Sequence, residues 1–280
     1  MKKNKVWFVT GASKGLGLSL VRKLVAQGYP VAATSRSVDA LVEEVGEPSS
    51  AFLPLQMNLM DEQSVADAIT KTVKAFGRID VIVNNAGYGQ LGTIEELTDK
   101  EARQNFDVNV FGSLNVIRKA MPYLREQGSG AIFNISSVAG FFAAFPGWGI
   151  YCATKFAVAG FTESLAAEVK PFGISATAVF PGYFRTNFLL EGSLNLAKNP
   201  NPAYANARAL EAVHKNDIPG NQPGNPEKAA EALITLAESD NKPVHVFFGS
   251  DAYKMADTQL GIIKDEMAQF ETLGRSTDFQ

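Results

Sequence analysis

The 280-residue chain is poor in the residues that staple small proteins or hold metals. It has one cysteine, Cys152, so no internal disulfide can form and a reducing compartment is expected. It has two histidines, His214 and His245, neither with an acid or cysteine partner at ligand spacing, so no metal site is expected. There is no excess of positive charge: 26 Lys and Arg stand against 29 Asp and Glu. That balance lacks the basic footprint of a nucleic-acid binder. No apolar run is long enough to span a bilayer. The opening "MKKNKVWFVT" places lysines before an apolar stretch, as a secretory signal does. Its run "VWFV" leads straight into "TGASKGLG" and is far too short for one. A cytoplasmic protein is expected. Repeats, low-complexity tracts and linkers are also missing, which predicts one domain over residues 1–280.

What is present is an alternation. Seven short apolar runs read as strands: Val6–Thr10, Val31–Thr34, Ala51–Met57, Ile79–Asn85, Ala131–Ser136, Ile174–Phe180 and Val244–Phe248. They are continuously apolar rather than alternating, as parallel strands covered on both faces are. Helical patterns lie between most of them, at Leu16–Gln27, Asp61–Phe76, Lys100–Gln127, Ile150–Pro171 and Glu227–Ser239. "TDKE" (Thr98 to Glu101) reads as a capping box, and Asn225 before Pro226 as a cap with a first-position proline. Repeated β-α-β units predict an α/β fold: one Rossmann-like, doubly wound domain, its seven-stranded parallel sheet flanked by helices. The stretch Gly182 to Gly224 breaks the rhythm, with a short helix expected within Phe188–Ala197. An irregular segment of that length is usually functional, and a substrate lid over 182–224 is expected. A further helix is expected over about 251–273.

"TGASKGLG" follows the first strand and opens the first helix. Gly11, Gly15 and Gly17 allow a tight turn and a close backbone approach to a pyrophosphate lying on helix N–H groups. The spacing is G-x-x-x-G-x-G, a variant of the usual dinucleotide fingerprint. The second strand ends in "ATSRS", with Ser35 and Arg36 where an acid would bind ribose hydroxyls. An acid repels a 2′-phosphate. Arg36, with Lys14 in the loop, can pair with one, unless both are merely solvated surface cations. NADP(H) is therefore expected over NAD(H). "YCATK" sets Tyr151 and Lys155 one helical turn apart on one face. Such a pair is either a tyrosine packed on a lysine stem or an acid tuned by a cation.

Together these motifs resemble the short-chain dehydrogenase/reductase family. The resemblance rests on "TGASKGLG", "NNAG" (Asn84 to Gly87), Asn109 in "FDVNVFG", "NISS" (Asn134 to Ser137), "YCATK" and "PGYFRT" (Pro181 to Thr186), in that order over about Val6 to Thr186. It implies an oxidoreductase with Tyr151 as acid in reduction and base in oxidation. Ser137 would hold the carbonyl, Lys155 would tune the tyrosine and hold the nicotinamide ribose, and Asn109 would break its helix and bind a proton-relaying water. A phenol acting near pH 7 must be brought down from about 10, about 4 kcal/mol. The implied cofactor contacts are Gly11, Ser13, Lys14, Gly15, Leu16 and Gly17 in the loop, and Ser35 and Arg36 after the second strand. They continue with Asn58 and Leu59 near the adenine, Asn85, Ala86 and Gly87 against the adenosine, and Tyr151 and Lys155. Pro181, Gly182, Phe184 and Thr186 would lie at the carboxamide. A homodimer or homotetramer is also implied.

Phe141, Phe142, Phe145, Trp148, Phe188, Leu189 and Leu190 flank these motifs and predict a pocket for an apolar ketone or aldehyde. Part of that set is expected to be plain core. Cys152 reads as a small helix residue, and "NIS" at Asn134 as buried strand rather than a glycosylation acceptor. The competing readings are an NADP(H)-sensing regulator on the same fold, which needs no Tyr–Lys pair, and an epimerase or dehydratase, which usually carries a different glycine spacing.

Overall fold

The computed structural model describes residues 5–190 and 192–279. Lys2 and Lys3 of the opening stretch, Glu191 of the expected short helix and the final Gln280 lie outside them. In chain order the first half comprises β1 (Trp7–Val9), α1 (Gly15–Ala26), β2 (Val31–Ser35), α2 (Val38–Val45), β3 (Phe52–Gln56), α3 (Glu62–Phe76), β4 (Val81–Asn84), β5 (Gly89–Leu91), α4 (Asp99–Phe106) and α5 (Gly112–Gln127). The second comprises β6 (Gly130–Ile135), α6 (Gly149–Val169), β7 (Ile174–Pro181), β8 (Leu194–Leu196), α7 (Ala205–Ala212), α8 (Pro226–Glu238), β9 (His245–Phe248) and α9 (Ser250–Arg275).

The main sheet has the order β3-β2-β1-β4-β6-β7-β9, and every pair in it is parallel. Its seven strands are the seven apolar runs of the sequence. Alternate strand residues serve opposite layers, because side chains alternate across a strand. Trp7, Val9, Val31, Ala33, Val81, Val83 and Phe133 pack with Leu20, Leu24 and Leu233 of α1 and α8. Phe8, Ala32, Ile82, Ile132 and Ala176 pack with Val65, Ile69, Val116 and Leu165 of α3, α5 and α6. Strand order reverses between β1 and β4. Open α/β sheets bind ligands beyond the carboxyl ends of their strands at such a point.

Both expected caps are present. Thr98 Oγ1 accepts from Glu101 N–H (3.3 Å) while Glu101 Oε2 accepts from Thr98 N–H (2.9 Å). Asn225 Oδ1 accepts from the N–H groups of Glu227 and Lys228, with Pro226 first in α8.

Three local readings need correction. The helix expected over Lys100–Gln127 is two helices, α4 and α5, separated at the break expected at Asn109 by a π-helical turn at Asp107–Phe111. The segment Phe188–Ala197 forms a 3-10 turn at Asn187–Leu189 and then β8, which pairs in parallel with β5. Neither β5 nor β8 has a sequence signature; Leu194 is held by packing with Leu91 and Trp148 in a small cluster at the sheet end. Helix α2, capped by Ser37, was not expected; it offers Leu41 and, partly buried, Val45 to the core.

Candidate active site

A cavity of about 600 Å³ runs along the carboxyl ends of β1, β2, β4, β6 and β7, roofed by residues between Thr186 and Gln222. At one end lies the glycine loop. Gly15 has φ +61°, a left-handed conformation that favours glycine. A Cβ on Gly11 would lie 2.7 Å from Ala86 Cα, so the loop and "NNAG" are in backbone contact. Asn85 Nδ2 donates to the carbonyls of Thr10 and Gly11, both at 3.0 Å. The Thr10 hydroxyl accepts from the N–H groups of Asn85 and Ala86. "NNAG" thus buttresses the loop while Asn85, Ala86 and Gly87 also line the cavity. Leu16 packs partly into the core, and Ser35 Oγ donates to Ser13 Oγ (3.1 Å), tying the end of β2 to the loop.

Arg36 and Lys14 stand together at this end. Lys14 Nζ donates to the Gly192 carbonyl (2.6 Å), and burial, then the nearby Arg36 charge, lowers its pKa. No carboxylate pairs with either among the described residues. Two cations that repel one another beside an open loop of N–H groups fit the phosphates of a dinucleotide. Asn58 and Leu59 line the same wall. Asn58 Oδ1 is engaged by Met60 N–H in the turn that starts α3, and Asn115 Nδ2 donates to the Leu59 carbonyl.

Ser137, Tyr151 and Lys155 line the same cavity. Ser137 follows β6, with its Oγ accepting from Ala139 N–H (3.1 Å). The Ser137 hydroxyl stands close enough to the Tyr151 phenol to lower its pKa. Lys155 Nζ donates to the Ile135 carbonyl (2.9 Å) and lies 5.7 Å from the Tyr151 ring centroid. Ser136 Oγ donates to the Lys155 carbonyl, binding α6 to the end of β6. Asn109 sits in the π-turn. Its Oδ1 accepts from Tyr88 N–H, and its Nδ2 donates to the Tyr88 carbonyl and to Thr154 Oγ1. The expected break in the helix is present, and the Asn109 side chain fastens α6 to the strand-end turn after β4. A Cβ on Gly87 would lie 3.0 Å from Asn109 Oδ1 and 3.6 Å from Lys155 Nζ, so glycine there keeps the lysine clear.

The electrostatics depart from the sequence expectation. Burial raises the Tyr151 phenol above its ordinary value, and the nearby Ser137 hydroxyl only partly offsets it. Burial pushes the Lys155 ammonium down to about 8. Desolvation is the largest cause for both because both groups are inside the protein. The chain alone therefore keeps Tyr151 a neutral phenol, suited to give a proton.

Pro181 ends β7. Gly182 has no room for a side chain beside the Asp251 carboxylate at the start of α9, whose Oδ2 accepts from Tyr183 N–H (2.6 Å). Phe184 bridges to Gly224, and Thr186 caps the 3-10 turn at Asn187–Leu189. Of the seven apolar residues flagged for the pocket, Phe145, Trp148, Phe188 and Leu189 line the cavity. Phe141 instead packs edge-on to Phe180 and Phe247, and Leu190 is exposed. Phe142 stacks edge-on with Phe145 outside the lining. Burial pushes the Cys152 thiol up to about 12, as befits an inert helix residue. His245 meets Glu163 at 2.9 Å near the surface, and no group of three potential metal ligands occurs among the described residues. Tyr183, His214 and Gln222 also line the cavity; the lid expected over 182–224 contains them, but no sequence signal singled them out within it. Long-range folding of the 182–224 stretch brings them in, and no local pattern announces that.

This fold and site define a dinucleotide-binding oxidoreductase. Residues 5–194 match the short chain dehydrogenase family. The chain is 35% identical over 270 residues to the uncharacterized oxidoreductase C162.03 of Schizosaccharomyces pombe, covering 96% of this chain and 90% of that one. It is 32% identical over 268 residues to the 3-ketodihydrosphingosine reductase of Bacteroides thetaiotaomicron, covering 95% and 96%. A solved short-chain dehydrogenase from Streptomyces avermitilis superposes with a TM-score of 0.90 at 35% identity, each chain covered in full. The chain belongs to the short-chain dehydrogenase family, whose members bind nicotinamide cofactors. Among the described residues no helix is long and apolar enough to cross a membrane.

Proposed function

We propose that the protein is an NADPH-dependent carbonyl reductase acting on apolar ketones or aldehydes. The observation that carries this reading is one continuous cavity lined by Ser137, Tyr151 and Lys155 and, beside the glycine loop, by Lys14 and Arg36, which have no carboxylate partner among the described residues. Reduced nicotinamide, when bound, supplies a hydride to the carbonyl carbon. Ser137 orients the carbonyl oxygen, and Tyr151 gives that oxygen its proton. The lysine ammonium stabilises the phenolate left behind. Overall, ketone, NADPH and one proton become alcohol and NADP+. Asn109 holds the turn after β4 and α6 in register and, through a water, resupplies the proton. Gly11, Ser13, Gly15, Leu16 and Gly17 cradle the pyrophosphate, Asn58 and Leu59 flank the adenine, and Phe184 and Thr186 meet the carboxamide.

The apolar walls around Trp148, Phe188 and Leu189 favour a hydrophobic carbonyl compound, and the relative named 3-ketodihydrosphingosine reductase takes a ketone by its name. Residues 182–224 act as the substrate lid, latched by Lys14 to the Gly192 carbonyl. The single buried thiol suits the reducing cytoplasm. A homo-oligomer would cover the exposed Leu260, Ile263, Met267 and Phe270, which recur along α9 at three- and four-residue spacing. Cofactor oxidation measured on a panel of apolar ketones tests the reading, with NADPH and NADH in parallel and Arg36→Ser beside the native chain. Turnover with NADPH, weak turnover with NADH, and a preference that falls at least tenfold in Arg36→Ser are expected. Tight NADPH binding with no turnover on any carbonyl would instead favour a cofactor sensor.

A further inference from the structure

The cavity has a second polar end that the proposed chemistry leaves unused. It is formed by Trp148, Tyr183, His214 and Gln222. His214 is only 3% exposed and lies in a π-helical turn, Val213–Asp217, after α7. Its Nδ1 is 2.9 Å from the Leu210 carbonyl, which can only accept. Nδ1 therefore carries the ring proton, and Nε2 presents a lone pair. Tyr183 Oη lies 3.0 Å from that Nε2. The phenol must donate its one proton to His214, so it can offer a ligand only its oxygen lone pairs. Burial pushes the Tyr183 phenol up to about 12 and lowers the His214 imidazole, so both stay neutral near pH 7.

Beside this fixed acceptor is an unused donor. The Trp148 ring lies 5.0 Å from His214 and 5.4 Å from Tyr151, centroid to centroid. Its Nε1 is buried without a hydrogen-bond partner among the described residues. Gln222, 3% exposed, leaves its Oε1 equally unpartnered. It stands on the strand of chain that pairs with Tyr183, since Gly224 N–H donates to the Tyr183 carbonyl and Arg185 Nε and Nη2 donate to the Gln222 carbonyl. Buried polar atoms left unpaired are costly, and a matching ligand group recovers that cost. The Asp251 carboxylate beneath Tyr183 makes this end unfavourable for an anion.

We propose that the substrate is an apolar ketone bearing a second, neutral hydroxyl, which gives its proton to Tyr183 Oη and takes the Trp148 indole N–H on its oxygen. The hydroxyl is the simplest neutral group that both donates and accepts as this wall requires. Tyr183 is then a specificity-determining residue, and His214 positions it by claiming its proton. The inference rests on the carbonyl-reductase reading of the same cavity.

The test is a steady-state comparison with NADPH on three series of 2-decanone derivatives. They carry a hydroxyl, a methoxy or an amino group at successive carbons, with 2-decanone as reference. At one position the hydroxy ketone is expected to exceed both its methoxy partner and 2-decanone by about tenfold in kcat/KM. That ratio is expected to fall toward one in Tyr183→Phe, with NADPH binding by fluorescence reporting that the variant is folded. Should Tyr183→Phe not bind NADPH, Trp148→Phe, which removes the indole N–H, serves as the second variant, and its ratio is expected to fall as well. A hydroxyl no better than methoxy at every position, an amine preferred to it, or an advantage that survives in the variants, would overturn the hydroxyl site while leaving the reductase reading intact. No turnover of any ketone, including 2-decanone, would overturn both.

Discussion

At the scale of single residues, the site is governed by desolvation. Tyr151 and Lys155 are both inside the protein, and burial shifts each toward its neutral form. A buried lysine makes stability depend on pH with a definite sign. In the unfolded chain it holds its proton to about 10.5, and in the folded chain only to about 8. Between those values the unfolded state binds more protons, so stability rises with pH across that window. Unfolding free energies from urea titrations at pH 7.5 and 10 are expected to differ less in Lys155→Met than in the native chain, by about 2–3 kcal/mol. An identical pH dependence in the two chains would contradict the burial of a charged Lys155. The residues named from motifs were legible because each motif carries its own chemistry: Gly15 for its left-handed φ, Ser137, Tyr151 and Lys155 for their order and spacing. Tyr183, His214 and Gln222 were legible only as members of the expected 182–224 lid, because in a stretch without periodicity nothing marks which of its residues the chain brings together.

At the scale of elements, the long apolar strands, the strongly capped helices and a break at Asn109 were legible, and the form that break takes was not. Asn109 is a poor helix former, yet nothing in "FDVNVF" alone specifies a π-turn rather than a kink. What fixes it is the set of hydrogen bonds from its side chain to Tyr88 and Thr154, contacts made across the fold. Strands β5 and β8 are three residues each and pair only with one another, too short for a period-two pattern. Helix α9 was legible in full, but its burial was not. Ala252 and Ala256 are buried, while every described residue from Leu260 onward is exposed in the single chain. Truncation after Gln259 is therefore expected to leave the melting temperature of the monomeric fold within about 2 °C. If α9 forms an interface between copies, light scattering will show the truncated chain at lower mass than the full one. A large fall in melting temperature with unchanged mass would show that the exposed half of α9 stabilises its own chain.

At the scale of the whole molecule, function follows from where the sheet reverses. Strands β1 and β4 diverge in connectivity, and the loops after β1, β4, β6 and β7 converge on one cavity. Two apolar layers, one on each face of the sheet, hold those strand ends in place. Four of the six sequence motifs fall at these strand ends, and Asn109 in the π-turn and "YCATK" in α6 meet them there, which is why six short matches can specify a site assembled across some 180 residues. The most direct test follows a labelled atom rather than cofactor consumption. NADPH carrying deuterium at C4 of the nicotinamide is incubated with an apolar ketone, and the alcohol is examined by mass spectrometry. One deuterium at the carbinol carbon is expected with the native chain, with a rate lowered by a factor on the order of 10²–10⁴ in Tyr151→Phe. Labelled cofactor that binds but yields no deuterated alcohol from any ketone, or undiminished transfer in Tyr151→Phe, would contradict the assignment of this cavity to carbonyl reduction by Tyr151.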